Sequence, residues 1–332
     1  MTVHAAMLPD MESPSLSVRD LTVNFAGDDG PLVAAAGVSF DLMPGRTTGL
    51  VGESGCGKSV TALALMGLVP PPGRIAAGSI RLGGQELMGL DEAGLDRVRG
   101  RRIAMIFQEP MTALNPVFSV GEQVAEVLRV HRGLDRRAAW AEAVEGLHRV
   151  GIADAGRRAA DYPHQMSGGM RQRAMIAMAL AGEPDVLIAD EPTTALDVTI
   201  QAQIVDLLLD IQQRMGLAIL FISHDLGVVS EVADEVLVMY AGRLVEAAPA
   251  AALFAAPQHP YTQGLLATLP GRGAPGTRLP SIPGQVPDLR RLPAGCRFSN
   301  RCSRVKAECR TAEPALRSVG TEHRAACVRI GT

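Results

Sequence analysis

Apolar residues fall in short dense runs along this chain, and their period changes from one run to the next. Residues 15–25 (SLSVRDLTVNF) and 38–42 alternate apolar with polar positions, as half-buried strands do, with an Asp/Gly turn region between them. Residues 46–51 read as a buried strand that stops at a Gly-rich loop, 52–59. The apolar density of 60–68 predicts a helix, ended by Pro70-Pro71-Pro72-Gly73. Short, wholly apolar stretches at 103–107, 186–189, 218–222 and 236–240 predict further buried strands. Strands alternating with helical segments predict the α/β class with a mainly parallel sheet. Residues 110–178 lack strand signals for most of their length and read as a helical insertion. Residues 1–14 read as a flexible tail and 15–256 as the main domain. Beyond Pro257 the composition turns to Pro, Gly and Arg, which predicts a small irregular C-terminal extension over 257–332. No internal repeat is evident, and no second Gly-rich loop.

Composition narrows the function classes. Among 332 residues, Lys+Arg 32 against Asp+Glu 35 gives a net charge of -3, without the basic excess of a nucleic-acid binder. The basic run Arg97, Arg99, Arg101 and Arg102 directly precedes a buried strand and reads as a solvated face. The start of the chain lacks the charged head of a signal peptide. The longest uncharged stretch, 247–271, is broken by Pro249, Pro257, Pro260 and Pro270, so it does not read as a membrane span. Membrane association is therefore expected through partners. Only Lys58 and Lys306 are lysines, so each needs a reason.

Lys58 has one. Gly52-Glu53-Ser54-Gly55-Cys56-Gly57-Lys58-Ser59 fits the phosphate-binding pattern G-x-x-x-x-G-K-S between a strand and a helix. The glycines let successive N–H groups face phosphate oxygens. The following helix adds its positive end. Lys58 is placed for the β- and γ-phosphates, and the Ser59 hydroxyl for Mg²⁺. The apolar strand at 186–189 ends in Asp190-Glu191. Asp190 suits Mg²⁺ held through water, and Glu191 suits a general base.

Gln108, Met166-Ser167-Gly168-Gly169-Met170, Ala195-Leu196-Asp197 and His224 follow in an order and spacing that resemble the Q-loop, signature, D-loop and H-loop of ABC-type ATPases. Within that family, residues 108–116 (QEPMTALNP), 162–170 (YPHQMSGGM), 189–203 (ADEPTTALDVTIQAQ) and His259-Pro260-Tyr261-Thr262 resemble the ATP-binding subunits of dipeptide and oligopeptide importers. The resemblance covers nearly everything after residue 14. It implies a P-loop ABC-type nucleotide-binding domain: a RecA-like, mainly parallel core, an antiparallel β subdomain and a helical subdomain. Met166 and Met170 depart from the usual signature. Phe25 stands where most members have an adenine-stacking Tyr.

The resemblance also implies a mechanism and partners. Two such subunits would sandwich two ATP molecules, with Ser167, Gly168, Gly169 and Asp197 acting on the opposite subunit's site. Glu191 would activate water, His224 would meet the γ-phosphate, and Gln108 would contact Mg²⁺ and water. The implied partners are a second, related ATP-binding subunit, two permease subunits at the cytoplasmic face of the inner membrane, and indirectly a substrate-binding protein. No nucleic acid is expected. The permease contact is expected near 108–122, with Leu114 or Phe118 in it. Peptide is the expected cargo, with nickel, glutathione or another small solute as the alternative. A soluble ATPase acting on DNA or ribosomes fits less well, because the stretch from Gln108 to Ser167 holds only a compact helical subdomain.

Cys56 stands alone, whereas Cys296, Cys302, Cys309 and Cys327 cluster late. Such a cluster suggests metal more than disulfides. No gap within it is as short as the C-x₂₋₄-C knuckle usual for structural zinc. Zinc, an iron–sulfur centre and unligated thiols all stay open on spacing. The resemblance to the importer extension implies a [4Fe–4S] cluster, making the extension metal-binding. Arg297, Arg301, Arg304, Arg310 and Arg324 lie nearby in sequence to offset its charge.

Overall fold

In a computed structural model, residues 13–27, 30–194, 196–269 and 280–330 are described. Most of the expected tail, 1–12, therefore lies outside the described residues. β1 (Leu16–Phe25) and β2 (Leu32–Leu42) form an antiparallel pair. β3 (Thr47–Val51) leads into the phosphate-loop sequence and the helix Lys58–Leu65. β4 (Gly73–Leu82) and β5 (Gln85–Glu86) complete a four-stranded sheet in the order β2-β1-β4-β5. β4 was not expected from the sequence. Only Ile80 and Leu82 along it are fully buried, so its apolar signal is weak.

The larger sheet adds β6 (Ile103–Ile106), β7 (Val186–Asp190), β8 (Ala218–Ser223), β9 (Glu235–Tyr240), β10 (Arg243–Pro249), β11 (Arg317–Gly320) and β12 (His323–Ala325). Its order is β11-β12-β10-β9-β3-β8-β7-β6. The five strands from β9 to β6 run parallel, as expected, while β10, β11 and β12 pair antiparallel. Both faces of the parallel part are covered, which is why its strands read as unbroken apolar runs. In β7 and β8, Val186, Ile188, Leu220 and Ile222 join the core shared with the antiparallel sheet. Leu187, Ala189, Ile219 and Phe221 join the core beneath the helices.

After residue 119 the α-helices Val120–Arg132, Arg136–Arg149, Ala155–Arg158 and Gly168–Leu180 lie between β6 and β7. Local chemistry sets the hairpin at 133–135. Gly133 takes φ 66 to close one helix, and the Asp135 side chain accepts from the N–H groups of Arg137 and Ala138 to open the next. No helix among the described residues is long and apolar enough to cross a membrane.

The C-terminal residues are mostly irregular, yet they are built into the main sheet. β12 pairs with β10, and Tyr261, Leu266 and Phe298 belong to the helical-side core. Glu246 of β10 is fully buried there. Its carboxylate accepts from the Gln258 and His259 N–H groups and lies 2.7 Å from the His323 ring. Those three contacts replace the water a buried acid would otherwise need.

Candidate nucleotide site

The loop that follows β3 requires its glycines. Gly52 and Gly57 have φ of 154 and 105, and a Cβ on either would come within 2.3 Å of a backbone oxygen, Met239 O or Ala34 O. Only a residue without a side chain fits so close to another backbone. Ser54 and Gly55 are exposed at the loop, while Cys56 is buried and burial pushes its thiol pKa up. Lys58 is 5% exposed, and its Nζ donates to Gly52 O (2.8 Å) and Glu53 O (3.2 Å). Ser59 Oγ lies 3.2 Å from Asp190 Oδ1 at the end of β7. Burial raises the Asp190 pKa, and the neighbouring Glu191 charge adds to this against the Ser59 hydrogen bond. A buried carboxylate beside a hydroxyl is a donor set that a hard cation such as Mg²⁺ fits.

Glu191 has φ 48, a left-handed backbone that a non-glycine residue rarely adopts. Its carboxylate is a point of convergence. Oε2 accepts from Gln108 Nε2 at 3.1 Å and Thr194 Oγ1 at 2.8 Å, and lies 3.2 Å from His224 Nδ1. Burial pushes the Glu191 pKa up, but hydrogen bonds from Thr194 and His224 outweigh it and hold the carboxyl below its ordinary value. An ionised carboxylate held this way can accept a proton from water. The strand ends of β6, β7 and β8 thus bring Gln108, Glu191 and His224 together from distant parts of the chain. Thr194 was not expected. Its hydroxyl reaches Glu191 only because residues 191–194 turn back, with Thr194 N–H donating to Glu191 O.

A second group lies at two helix starts. Ser167 caps the helix Gly168–Leu180 by accepting from Met170 N–H, and Gly169 packs close to Ile200. Asp197 caps the helix Val198–Met215 by accepting from Ile200 N–H at 2.9 Å. Phe25 ends β1 with its ring against Gly73 and is partly buried in the core shared by the two sheets. Leu114 is 1% exposed, so it is a core residue and not surface for a partner. Among the described side chains of 108–122, Val117 and Phe118, at 70% and 50%, are the large apolar ones that face outward.

The four late cysteines line one small cavity together with His259, Phe298 and Arg304. All are free thiols, and burial raises the pKa of Cys302 and pushes that of Cys296 up to about 11. Among the described residues no three His, Cys, Asp or Glu side chains are grouped to hold a metal ion. The expectation of a metal-binding extension is thus not supported, since no such group forms among the described residues. Two of the arginines expected to balance a cluster are engaged elsewhere. Arg297 pairs with Glu313, and Arg301 pairs with Glu53 of the phosphate loop.

This geometry agrees with what the chain is similar to. A family model described as "ABC transporter" matches residues 35–194, and one described as "Oligopeptide/dipeptide transporter, C-terminal region" matches 245–309. A Brucella melitensis protein named for peptide import and ATP binding is 52% identical over 328 residues, covering 95% of this chain and 97% of its own. The oligopeptide transport ATP-binding protein of Mycobacterium tuberculosis is 50% identical over 319 residues, covering 96% of this chain but 52% of that longer protein. Among solved structures, a dimeric ATP-binding cassette in a post-hydrolysis state bound to ADP and Pi aligns with a TM-score of 0.64 at 25% identity. It covers 71% of this chain and 98% of that one.

Proposed function

Since the chain belongs to the family of ABC transporter ATP-binding proteins, we propose that it binds and hydrolyses ATP to drive the import of peptides across a membrane. The observation that carries the catalytic part is the loading of one Glu191 oxygen by Gln108, Thr194 and His224. In this reading the backbone N–H groups of residues 55–59 and the Lys58 ammonium hold the β- and γ-phosphates, and the Phe25 ring stacks on adenine. Ser59, Asp190 and Gln108 would hold Mg²⁺, which when bound supplies charge neutralisation at the phosphate oxygens. Glu191 takes a proton from the attacking water, and His224 meets the γ-phosphate. Ser167, Gly168, Gly169 and Asp197 act on the nucleotide of a second, related subunit.

The same reading places the chain at the cytoplasmic face of the inner membrane, on two permease subunits served by a substrate-binding protein. The match of the C-terminal family model favours peptide over nickel, glutathione or another small solute. Val117 and Phe118 form an exposed apolar pair in the segment that follows Gln108, which suits a permease contact that senses the site. Phe118→Asp in the assembled transporter should lower uptake of labelled peptide about tenfold or more with ATP affinity unchanged. Uptake of nickel or glutathione that tracks the variant, with peptide uptake normal, would reassign the cargo. Normal uptake of all three would move the permease contact elsewhere.

For the extension, the meeting of all four thiols at one cavity supports a [4Fe–4S] cluster, with Zn²⁺ as the alternative. Such a centre would staple a segment poor in apolar residues. Anaerobically purified protein should be brown, with absorbance near 400 nm and about four irons per chain. Colourless protein with one zinc decides for the alternative, and metal-free protein leaves free thiols.

A further inference from the structure

Glu53, the second residue of the phosphate loop, is the most heavily tied residue of that loop. Arg301 donates to both its carboxylate oxygens, Nη1 to Oε2 at 2.6 Å and Nη2 to Oε1 at 3.0 Å. The Arg301 side chain is 6% exposed. Its Nε donates to Pro283 O at 2.8 Å, and its guanidinium lies 5.8 Å and 6.0 Å from the ring centres of Tyr240 and Phe298. From a second direction, the Glu53 N–H donates to Tyr261 Oη at 2.9 Å. Tyr261 is fully buried against Tyr240 and Phe298. Both holds come from beyond the α/β core, one from the helix Pro260–Ala267 and one from the residue before Cys302.

The carbonyls that seat Lys58 Nζ belong to Gly52 and to Glu53 itself. The segment that fixes the Lys58 ammonium is therefore clamped on its other side by the C-terminal extension. A two-pronged Arg–carboxylate pair fixes direction as well as distance, so it holds a backbone more firmly than a single hydrogen bond. We propose that Arg301 and Tyr261 are positioning residues for the phosphate loop, setting through Glu53 the geometry from which Lys58 engages ATP. This rests on the reading of residues 52–59 as the nucleotide site. It makes nucleotide affinity a property of the extension as well as of the core.

The test uses the full chain and measures ATP affinity at equilibrium alongside KM and kcat for hydrolysis. Arg301→Gln and Glu53→Gln should each weaken ATP binding and raise KM about tenfold, with a smaller change in kcat. Arg301→Lys, which restores one charged donor, should recover part of the loss. The double variant should bind no worse than the weaker single one, since both remove the same interaction. Tyr261→Phe keeps the packed ring and deletes only the hydroxyl. It should raise KM about threefold with an unchanged melting temperature. Losses of affinity that add in the double variant, or that follow the melting temperature across the series, overturn the proposal. So does wild-type affinity in Arg301→Gln. Wild-type protein that binds no ATP would instead sink the reading of the loop, a result that the variants cannot produce.

Discussion

Glu191→Gln is expected to leave ATP binding intact and to slow hydrolysis by roughly 10²- to 10⁴-fold, the usual worth of a general base. The amide keeps the size of the carboxylate, so the contact with Thr194 Oγ1 at 2.8 Å can persist. What is lost is the proton acceptor. The wild-type carboxyl is held below its ordinary pKa by Thr194 and His224, so it is ionised at neutral pH and its activity does not require alkaline conditions. Activity should therefore fall only as the pH drops toward a value below that of an ordinary glutamate. Undiminished turnover by the glutamine variant would take Glu191 out of the reaction. Binding and hydrolysis lost together would point to collapse of the strained turn at φ 48 instead.

Lys58→Ala is expected to weaken nucleotide binding by about 10²-fold or more, because on the proposed reading it removes the charged donor to the phosphates from a nearly dry site. It also frees the carbonyls of Gly52 and Glu53, which the ammonium bridges. Equilibrium titration with a nucleotide analogue separates this from a folding defect when the melting temperature is followed in parallel. Normal affinity in Lys58→Ala would remove the loop from nucleotide binding altogether.

The parts of the site that are contiguous in sequence were legible. The phosphate loop and Asp190-Glu191 each sit at the end of an apolar strand buried on both faces, so the same residues that make the strand announce the site. The roles of Gln108 and His224 could be assigned only through family resemblance, since nothing local says that three strand ends meet. β10 and β12 do not read as strands because Arg243, Glu246, His323 and Arg324 interrupt their apolar residues. Their burial depends on pairing that no local period encodes. Arg301 was visible as a charge near cysteines, but its partner Glu53 lies 248 positions away. Leu114 differs for a related reason: an apolar residue in a polar loop looks like surface until the fold buries it.

The placement of β3 in the middle of the large sheet bears on how the chain is made. β3 and the phosphate loop leave the ribosome early, but the neighbours of β3 are β8 and β9. Thr47 N–H donates to Asp234 Oδ2, 187 positions further on. During synthesis the antiparallel pair β1–β2 and then β4 can assemble from nearby sequence, while β3 waits with both edges unsatisfied until the strands at 218–240 emerge. Topologies dominated by such distant pairing fold slowly and expose strand edges meanwhile. A chain cut short between the phosphate loop and residue 218 would therefore carry the complete loop sequence and still be blind to ATP, with two bare strand edges open to aggregation.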